Sequence, residues 1–333
     1  MRAWVVDQPG PIDGGPLRLV ERPSPVPAGD EVVVEVSACG VCRTDLHLAE
    51  GDLPPRRPGV TPGHQVVGTV VERGPAALRF SVGDRIGVAW LRRTCGVCRF
   101  CVGGRENLCL RPSFTGWDAH GGFAARCTVP EAFAYRLPGE LDDASAAPLL
   151  CAGIIGYRAL LVADCPDGGA LGVWGFGASA HLTAQSAMAR GIRVHVFTRA
   201  AAARQLALEL GCASAQDSPD ASPEPLQSAI VFAPVGTVVP LALRQLDRGG
   251  ICAVAGVHLS DVPRLVYEEE LFYEKQLRSV TANTRADGIE LLAMARTASI
   301  RPRLAEYDFP DLPRALSDIA ADRLVGSAVV RVA

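Results

Sequence analysis

Between residues 169 and 198 the chain alternates apolar runs with glycine turns in a regular order. Residues 170–174 read as a short apolar strand. Gly175-Phe176-Gly177-Ala178-Ser179-Ala180 follows it, then a helical stretch over 181–190 closed by Gly191. An alternating second strand runs over 193–198. The same texture continues with helix 201–210, strand 229–233, helix 238–246, a turn at Gly249-Gly250 into strand 251–255, and a last strand at 277–280. Strands alternating with helices predict an open parallel sheet with helices on both faces. Before residue 148 the pattern differs. Short β-rich runs at 31–36, 66–71 and 85–88 are separated by Gly and Pro, which predicts a mostly antiparallel β domain.

Composition bounds the function. The 333 residues suffice for about two domains. With 48% hydrophobic and 21% charged residues the chain reads as globular, and disorder is excluded as its main state. A net charge of −3 argues against nucleic acid and polybasic membrane partners. The most apolar stretches, 146–157 and 229–243, are too short to span a bilayer, and Pro234, Gly236 and Pro240 interrupt the second. The N-terminus lacks a signal-peptide pattern, so a cytoplasmic location is expected.

Eleven cysteines change this bland picture, because a reducing cytoplasm disfavours structural disulfides. Four stand close together as C-x2-C-x2-C-x7-C: Cys95, Cys98, Cys101 and Cys109. Four thiolates at such spacing can wrap one tetrahedral zinc at about 2.3 Å, with no position left for a substrate. Four buried thiols, or a redox pair at Cys95 and Cys98, are the alternatives. Cys42, His64 and Cys151 form a second set, which would leave a fourth zinc position open for chemistry. From spacing alone this second set is weak.

Gly175, Gly177 and Ala180 make a G-x-G-x-x-A turn between a strand and a helix. Gly175 permits the tight turn, Gly177 lets a pyrophosphate approach the helix N-terminus, and Ala180 permits close helix–strand packing. A plain α/β turn is the alternative.

Taken together, G-V-C-R-T-D-L-H at 40–47, G-H-Q at 63–65, the cysteine lobe at 95–109, L-C-A-G at 150–153 and G-F-G-A-S-A at 175–180 resemble the zinc-dependent medium-chain alcohol dehydrogenases. The resemblance spans nearly the whole chain. It implies an α/β plus mainly β protein: a GroES-like catalytic domain over 1–147 and 283–333, with an inserted Rossmann domain over 148–282 and a structural zinc lobe at about 93–112. By matching position, Cys42, His64 and Cys151 would hold a catalytic zinc, and Asp45 would orient the ligand histidine. Thr44 would contact the substrate oxygen, and His47 would pass its proton to solvent. Arg43 and Arg285 match pyrophosphate positions. Trp90 matches a wall of the alcohol pocket, which Leu53 also lines. The family further implies two zinc ions per chain, an alcohol or aldehyde substrate, and a homodimer or homotetramer. Cys39, Cys127, Cys165, Cys212 and Cys252 match no ligand and read as buried small side chains. His120, His181, His195 and His258 take no role.

Two departures stand out. Gln65 replaces the glutamate that follows the ligand histidine in the family. Thr198-Arg199 occupies the end of the second Rossmann strand, where an acidic residue selects NAD. Arg199 or Arg204 would receive a 2′-phosphate, so NADP(H) is favoured and NAD(H) is the alternative. A zinc polyol or sugar dehydrogenase is the runner-up activity. A catalytically silent zinc- and nucleotide-binding protein is the reading from outside enzymology.

Overall fold

The computed structural model describes residues 1–256 and 259–332. The chain divides into two compact units. The first comprises Met1–Cys151, Ala282–Arg296 and Pro302–Ala333. The second comprises Ala152–Thr281 and Thr297–Arg301.

The first unit is built on a seven-stranded sheet. Its path runs Leu304–Asp308, Ser327–Arg331, Glu31–Val41, Gln65–Arg73, Arg85–Val88 and Ala134–Arg136, and Arg126–Pro130 pairs with Glu31–Val41 off this path. Only the pairing of Leu304–Asp308 with Ser327–Arg331 is parallel. Glu31–Val41 is central because its valines alternate into the core. Val32, Val34 and Val36 are fully buried with Val66, Val70, Ile86, Phe80 and Phe123. The short strands Leu91–Arg93 and Ser113–Phe114 pair antiparallel and bracket the four-cysteine segment.

The second unit carries six parallel strands in the spatial order Ser214–Gln216, Arg193–Phe197, Ala170–Trp174, Leu226–Val231, Leu246–Val254, Gln276–Ser279. This is the doubly wound order 3-2-1-4-5-6 of dinucleotide-binding sheets, and it reverses direction beside Ala170–Trp174. Trp174 and Phe197, both fully buried, stack 4.1 Å apart at the centre. The sequence pattern missed Ser214–Gln216, which has three residues and no buried position to mark it. It also started the first helix late: the helix runs Ala178–Met188, directly from the glycine turn.

The apolar stretch over 146–157 belongs to a longer helix than its sequence pattern suggested. Asp143–Ala163 is a continuous helical stretch of 21 residues, long and apolar enough to pass for a span. Its most apolar window is 72% buried inside the protein, as in a core helix. Pro148 lies inside this stretch and cannot donate to the helical ladder. The next five residues, Leu149–Gly153, take π geometry before Ile154–Ala163 resumes the α form.

Candidate active site

Strand Glu31–Val41 delivers the chain to Cys42, the N-cap of helix Arg43–Glu50. Asp45, on the first turn of that helix, folds back so that its Oδ2 accepts the Cys42 N–H at 3.0 Å. Its other oxygen accepts the Gly63 N–H at 3.0 Å and lies 3.3 Å from His64 Nδ1. One buried carboxylate therefore fixes both the helix start and the loop carrying the imidazole.

His64 Nε2 faces two sulfurs, 3.5 Å from Cys42 Sγ and 3.3 Å from Cys151 Sγ. The three donor atoms lie within 4.8 Å of one another. Cys151 reaches the cluster from the π turn, a local widening that often marks functional positions. Burial alone pushes the His64 imidazole down, but the Asp45 carboxylate and the Cys42 sulfur outweigh it and hold it at about 10. The Cys42 thiol is pushed well up, first by its hydrogen bond with Cys151 and then by burial. The pocket thus favours positive charge between a nitrogen and two sulfurs, which suits a zinc ion with one coordination position left open.

Thr44 is half-buried, and His47 follows one turn later on the same helix face. His47 Nδ1 lies 3.0 Å from Oδ2 of the exposed Asp52. Leu53 is half-buried on the following turn, with its N–H on the His47 carbonyl at 3.0 Å. Arg43 pairs with the exposed Asp322 across solvent.

Trp90 stands edge-on to His64, with ring centroids 4.9 Å apart. It continues into an aromatic tier that the sequence did not disclose. Phe114 stacks on it at 4.9 Å and Trp117 at 5.8 Å. Arg56 caps Trp117 at 3.5 Å and pairs with Asp118 at 2.9 Å. The aromatic pair either side of Thr115-Gly116 was the available signal. Gln65, on the next strand residue after His64, is buried, and its Nε2 has no partner among the described residues.

In the cysteine lobe, Cys98 and Cys101 sulfurs stand 3.5 Å apart, and those of Cys95 and Cys101 stand 3.9 Å apart. Around a tetrahedral zinc with bonds of about 2.3 Å, sulfurs would sit about 3.8 Å apart. All four sulfurs lie within 4.8 Å of one another. Backbone N–H groups serve them: Cys95 and Arg111 donate to Cys109 Sγ at 3.3 and 3.4 Å. N–H groups of Cys101 and Leu110 pull the Cys98 thiol down to about 6. Burial pushes Cys101 up to about 11, aided by its thiol neighbours. This donor set suits a closed zinc shell.

Glu106 of the same lobe accepts from Arg285 at 2.7–3.1 Å through both carboxylate oxygens and also accepts the Arg285 N–H at 2.8 Å. The Arg285 guanidinium also lies over the Phe133 ring. Arg285, expected at a pyrophosphate position, thus meets a counter-charge on Glu106 within the first unit. The pair joins the lobe to the head of helix Arg285–Thr297.

In the second unit Gly175 holds φ +84 at the end of its strand, a conformation open to glycine, and a Cβ there would lie 2.9 Å from Ala233 N. Gly177 caps the eleven-residue helix and faces open space. Ala180 is fully buried where helix meets strand. This cradle fits a pyrophosphate on free helix N–H groups. Thr198 is buried. Arg204 donates to the carbonyls of Thr198 and Arg199 at 2.7 and 2.8 Å, so it braces the loop. The exposed Arg199 side chain has no partner among the described residues.

The five remaining cysteines are all buried. His181 Nδ1 donates to the Gly177 carbonyl, 3.1 Å away, and burial pushes the imidazole down to about 4. His195 bridges Ser214 and Glu224 at 2.8 and 2.9 Å. His258 lies outside the described residues.

A GroES-like catalytic core of this kind, with a doubly wound sheet inserted, defines a class of dehydrogenase. Residues 28–139 match the family model of the alcohol dehydrogenase GroES-like domain. The chain is 55% identical to the probable alcohol dehydrogenase AdhA of Mycobacterium tuberculosis, covering 100% of this chain and 97% of that protein. It superposes on a cinnamyl alcohol dehydrogenase from Sorghum bicolor with a TM-score of 0.90 at 26% identity, covering 99% and 97% of the two chains. A cobalt- and zinc-bound thermostable alcohol dehydrogenase from Pyrobaculum aerophilum gives a TM-score of 0.90 at 25% identity, covering 100% and 99%. The chain belongs to the zinc-dependent medium-chain alcohol dehydrogenase family.

Proposed function

We propose that this chain interconverts alcohols with aldehydes or ketones, using a catalytic zinc on Cys42, His64 and Cys151 and preferring NADP(H) as hydride carrier. The observation that carries this reading is the buried three-donor cluster braced by Asp45. The Pyrobaculum relative, which binds cobalt and zinc, supports the metal. When bound, zinc supplies Lewis-acid polarisation of the alcohol oxygen, and the nicotinamide supplies the hydride acceptor.

The chain's own residues do the rest. Asp45 keeps the His64 ring turned so that Nε2 faces the sulfurs. Thr44 accepts the hydroxyl proton of the alcohol as its own hydroxyl gives one up toward His47, which with Asp52 offers an exit to solvent. Trp90 forms a flat apolar wall beside His64, which favours alcohols with an apolar body over polyols. Gly175, Gly177 and Ala180 cradle the pyrophosphate, and Arg199 receives the 2′-phosphate. Arg43 is a second phosphate contact, since its exposed pair with Asp322 is weak. Four cysteines of the lobe hold a second, structural zinc.

We also propose a cytoplasmic homo-oligomer. Eleven free cysteines suit a reducing compartment. The edge strand Gln276–Ser279 is exposed at every residue, Leu277 included, and Phe272 and Tyr273 just before it are exposed too, which suits pairing with a second copy.

Steady-state assays of the zinc-loaded enzyme with ethanol, propan-2-ol, benzyl alcohol and sorbitol, each with both nicotinamide cofactors, test the reading. Turnover of a monohydroxy alcohol is expected. A clear preference for sorbitol would assign the polyol activity, and no turnover on any of them would favour a silent binding protein.

A further inference from the structure

Away from the cysteine cluster, the first unit holds a cleft of about 360 Å³ between strand Ala134–Arg136 and helix Arg285–Thr297. Ile289, Leu292 and Arg296 recur at i, i+3 and i+7, so one helix stripe faces the cleft. Leu292 is buried at its floor with Leu137 alongside, and Ile289 is 56% exposed at its rim. Tyr135, Pro138 and Ala293 complete the apolar lining, and the charged residues at the cleft are all cationic: Arg79, Arg136 and Arg296.

Three guanidiniums around an apolar floor are only partly balanced, by Glu131 acting on Arg79 and Asp84 on Arg136. Arg79 donates to the carbonyls of Glu131 and Ala134 at 2.7 and 2.9 Å. The Glu131 carboxylate is turned to the Arg79 backbone N–H, at 2.5 Å. Arg136 donates to the Arg79 carbonyl at 2.9 Å, and its nearest carboxylate, Asp84, stands 3.6 Å away. Asp84 is itself occupied by the Ser81 N–H at 2.9 Å. Arg296 makes no hydrogen bond or ion pair among the described residues. The cations also crowd one another: burial and then Arg136 outweigh the Glu131 carboxylate and hold the Arg79 guanidinium below its ordinary range.

We propose that this cleft binds an amphipathic carboxylate, its head held by Arg79, Arg136 and Arg296 and its alkyl chain laid over Leu137, Ile289 and Leu292. A planar carboxylate matches the guanidinium fork and supplies the missing negative charge. The apolar floor supplies the second half of the recognition, which a bare inorganic anion would leave exposed to water. The volume lies within the range of small-molecule sites. None of these lining residues belongs to the zinc cluster.

Isothermal titration of the full-length, zinc-loaded enzyme with sodium octanoate tests the proposal, with sodium acetate as the tail-less probe. One octanoate per chain is expected. Arg296→Glu should weaken it by about tenfold or more, the cost of losing a charge-assisted contact. Ile289→Asp should weaken it comparably, and acetate should bind at least about tenfold more weakly than octanoate. Both substituted side chains are exposed, so both variants should fold, which unchanged alcohol turnover will verify. Octanoate binding that is unaltered in both variants, acetate binding as tight as octanoate, or no heat at millimolar octanoate would overturn the proposal.

Discussion

Asp45 and His64 share a single carboxylate contact, Oδ1 to Nδ1 at 3.3 Å, while the other Asp45 oxygen holds the Cys42 amide. Two segments bearing candidate zinc donors are thereby set by one side chain. Asp45→Asn keeps the shape but removes the charge that steadies the imidazole. It is expected to weaken zinc at this cluster by about 10–100-fold. Timed zinc release to a chromogenic chelator reads this out, with the four-cysteine lobe as the internal slow phase. Identical release in both proteins would refute the orienting role.

The lobe predicts a different phenotype. Cys101→Ser removes the sulfur that stands closest to Cys98. Zinc content measured by elemental analysis should fall from two ions to one per chain. The apparent melting temperature should drop by about 5–10 °C, because closed zinc contributes directly to folding energy. Retention of both metals would show that these sulfurs do not form a zinc shell.

Cofactor choice rests on Arg199. With Arg204 occupied by two backbone carbonyls, Arg199 is the uncommitted cation of this loop. Wild type should show the higher kcat/KM with NADP(H), and Arg199→Asp should invert the preference by adding repulsion to the lost contact. An NAD(H) preference in wild type that the substitution leaves alone would refute the reading of the loop, not of the family.

Packing beside the site gives a stability test. A Cβ at residue 40 would lie 2.6 Å from Gln65 Oε1 and 2.9 Å from Gln65 Cβ. Gly40→Ala should therefore cost about 1–3 kcal/mol in chemical denaturation. Combining it with Gln65→Ala removes the Oε1 contact but keeps the Cβ contact, so it should recover only part of that loss, and a double-mutant cycle measures the coupling. Simple additivity of the two changes would show that the clash is relieved elsewhere.

His181 carries a pH signature. Burial holds its folded pKa at about 4, below its ordinary value of 6.5. The unfolded chain therefore binds the proton first as pH falls. The contribution to stability is complete above about pH 6.5, is lost progressively down to about pH 4, and amounts to roughly 3 kcal/mol. His181→Asn should flatten the decline of melting temperature across that window. The C2–H resonance of His181 should stay in its neutral position until near pH 4, and titration near 6.5 would contradict the buried, neutral imidazole.

Short-range chemistry was legible in the sequence. The Gly175–Ala180 turn, the four clustered cysteines and the valine-rich strands each declare themselves within a few residues. Long-range partnerships did not. Glu106 and Arg285 are 179 residues apart, and no local pattern says that one neutralises the other. Trp90, Phe114 and Trp117 meet because Leu91–Arg93 pairs with Ser113–Phe114, a two-strand contact too short to announce itself. Ser214–Gln216 is a strand by virtue of its neighbour Arg193–Phe197 rather than its own composition.

The π turn at Leu149–Gly153 amounts to one residue more than a regular α-helix would contain over the same rise. Deleting a single residue there would let the ladder close as an ordinary helix after Pro148. Five residues at π pitch sweep about the same angle as four at α pitch, so side chains downstream would keep their faces while those inside the turn would be re-aimed. Ala159, Leu160 and Ala163, all fully buried, would stay on their face, but the Cys151 sulfur, inside the turn, would leave the His64 nitrogen. Reading frame and metal chemistry are tied at this point: the length of the chain between residues 148 and 154 is as tightly constrained as the identity of the cysteine within it.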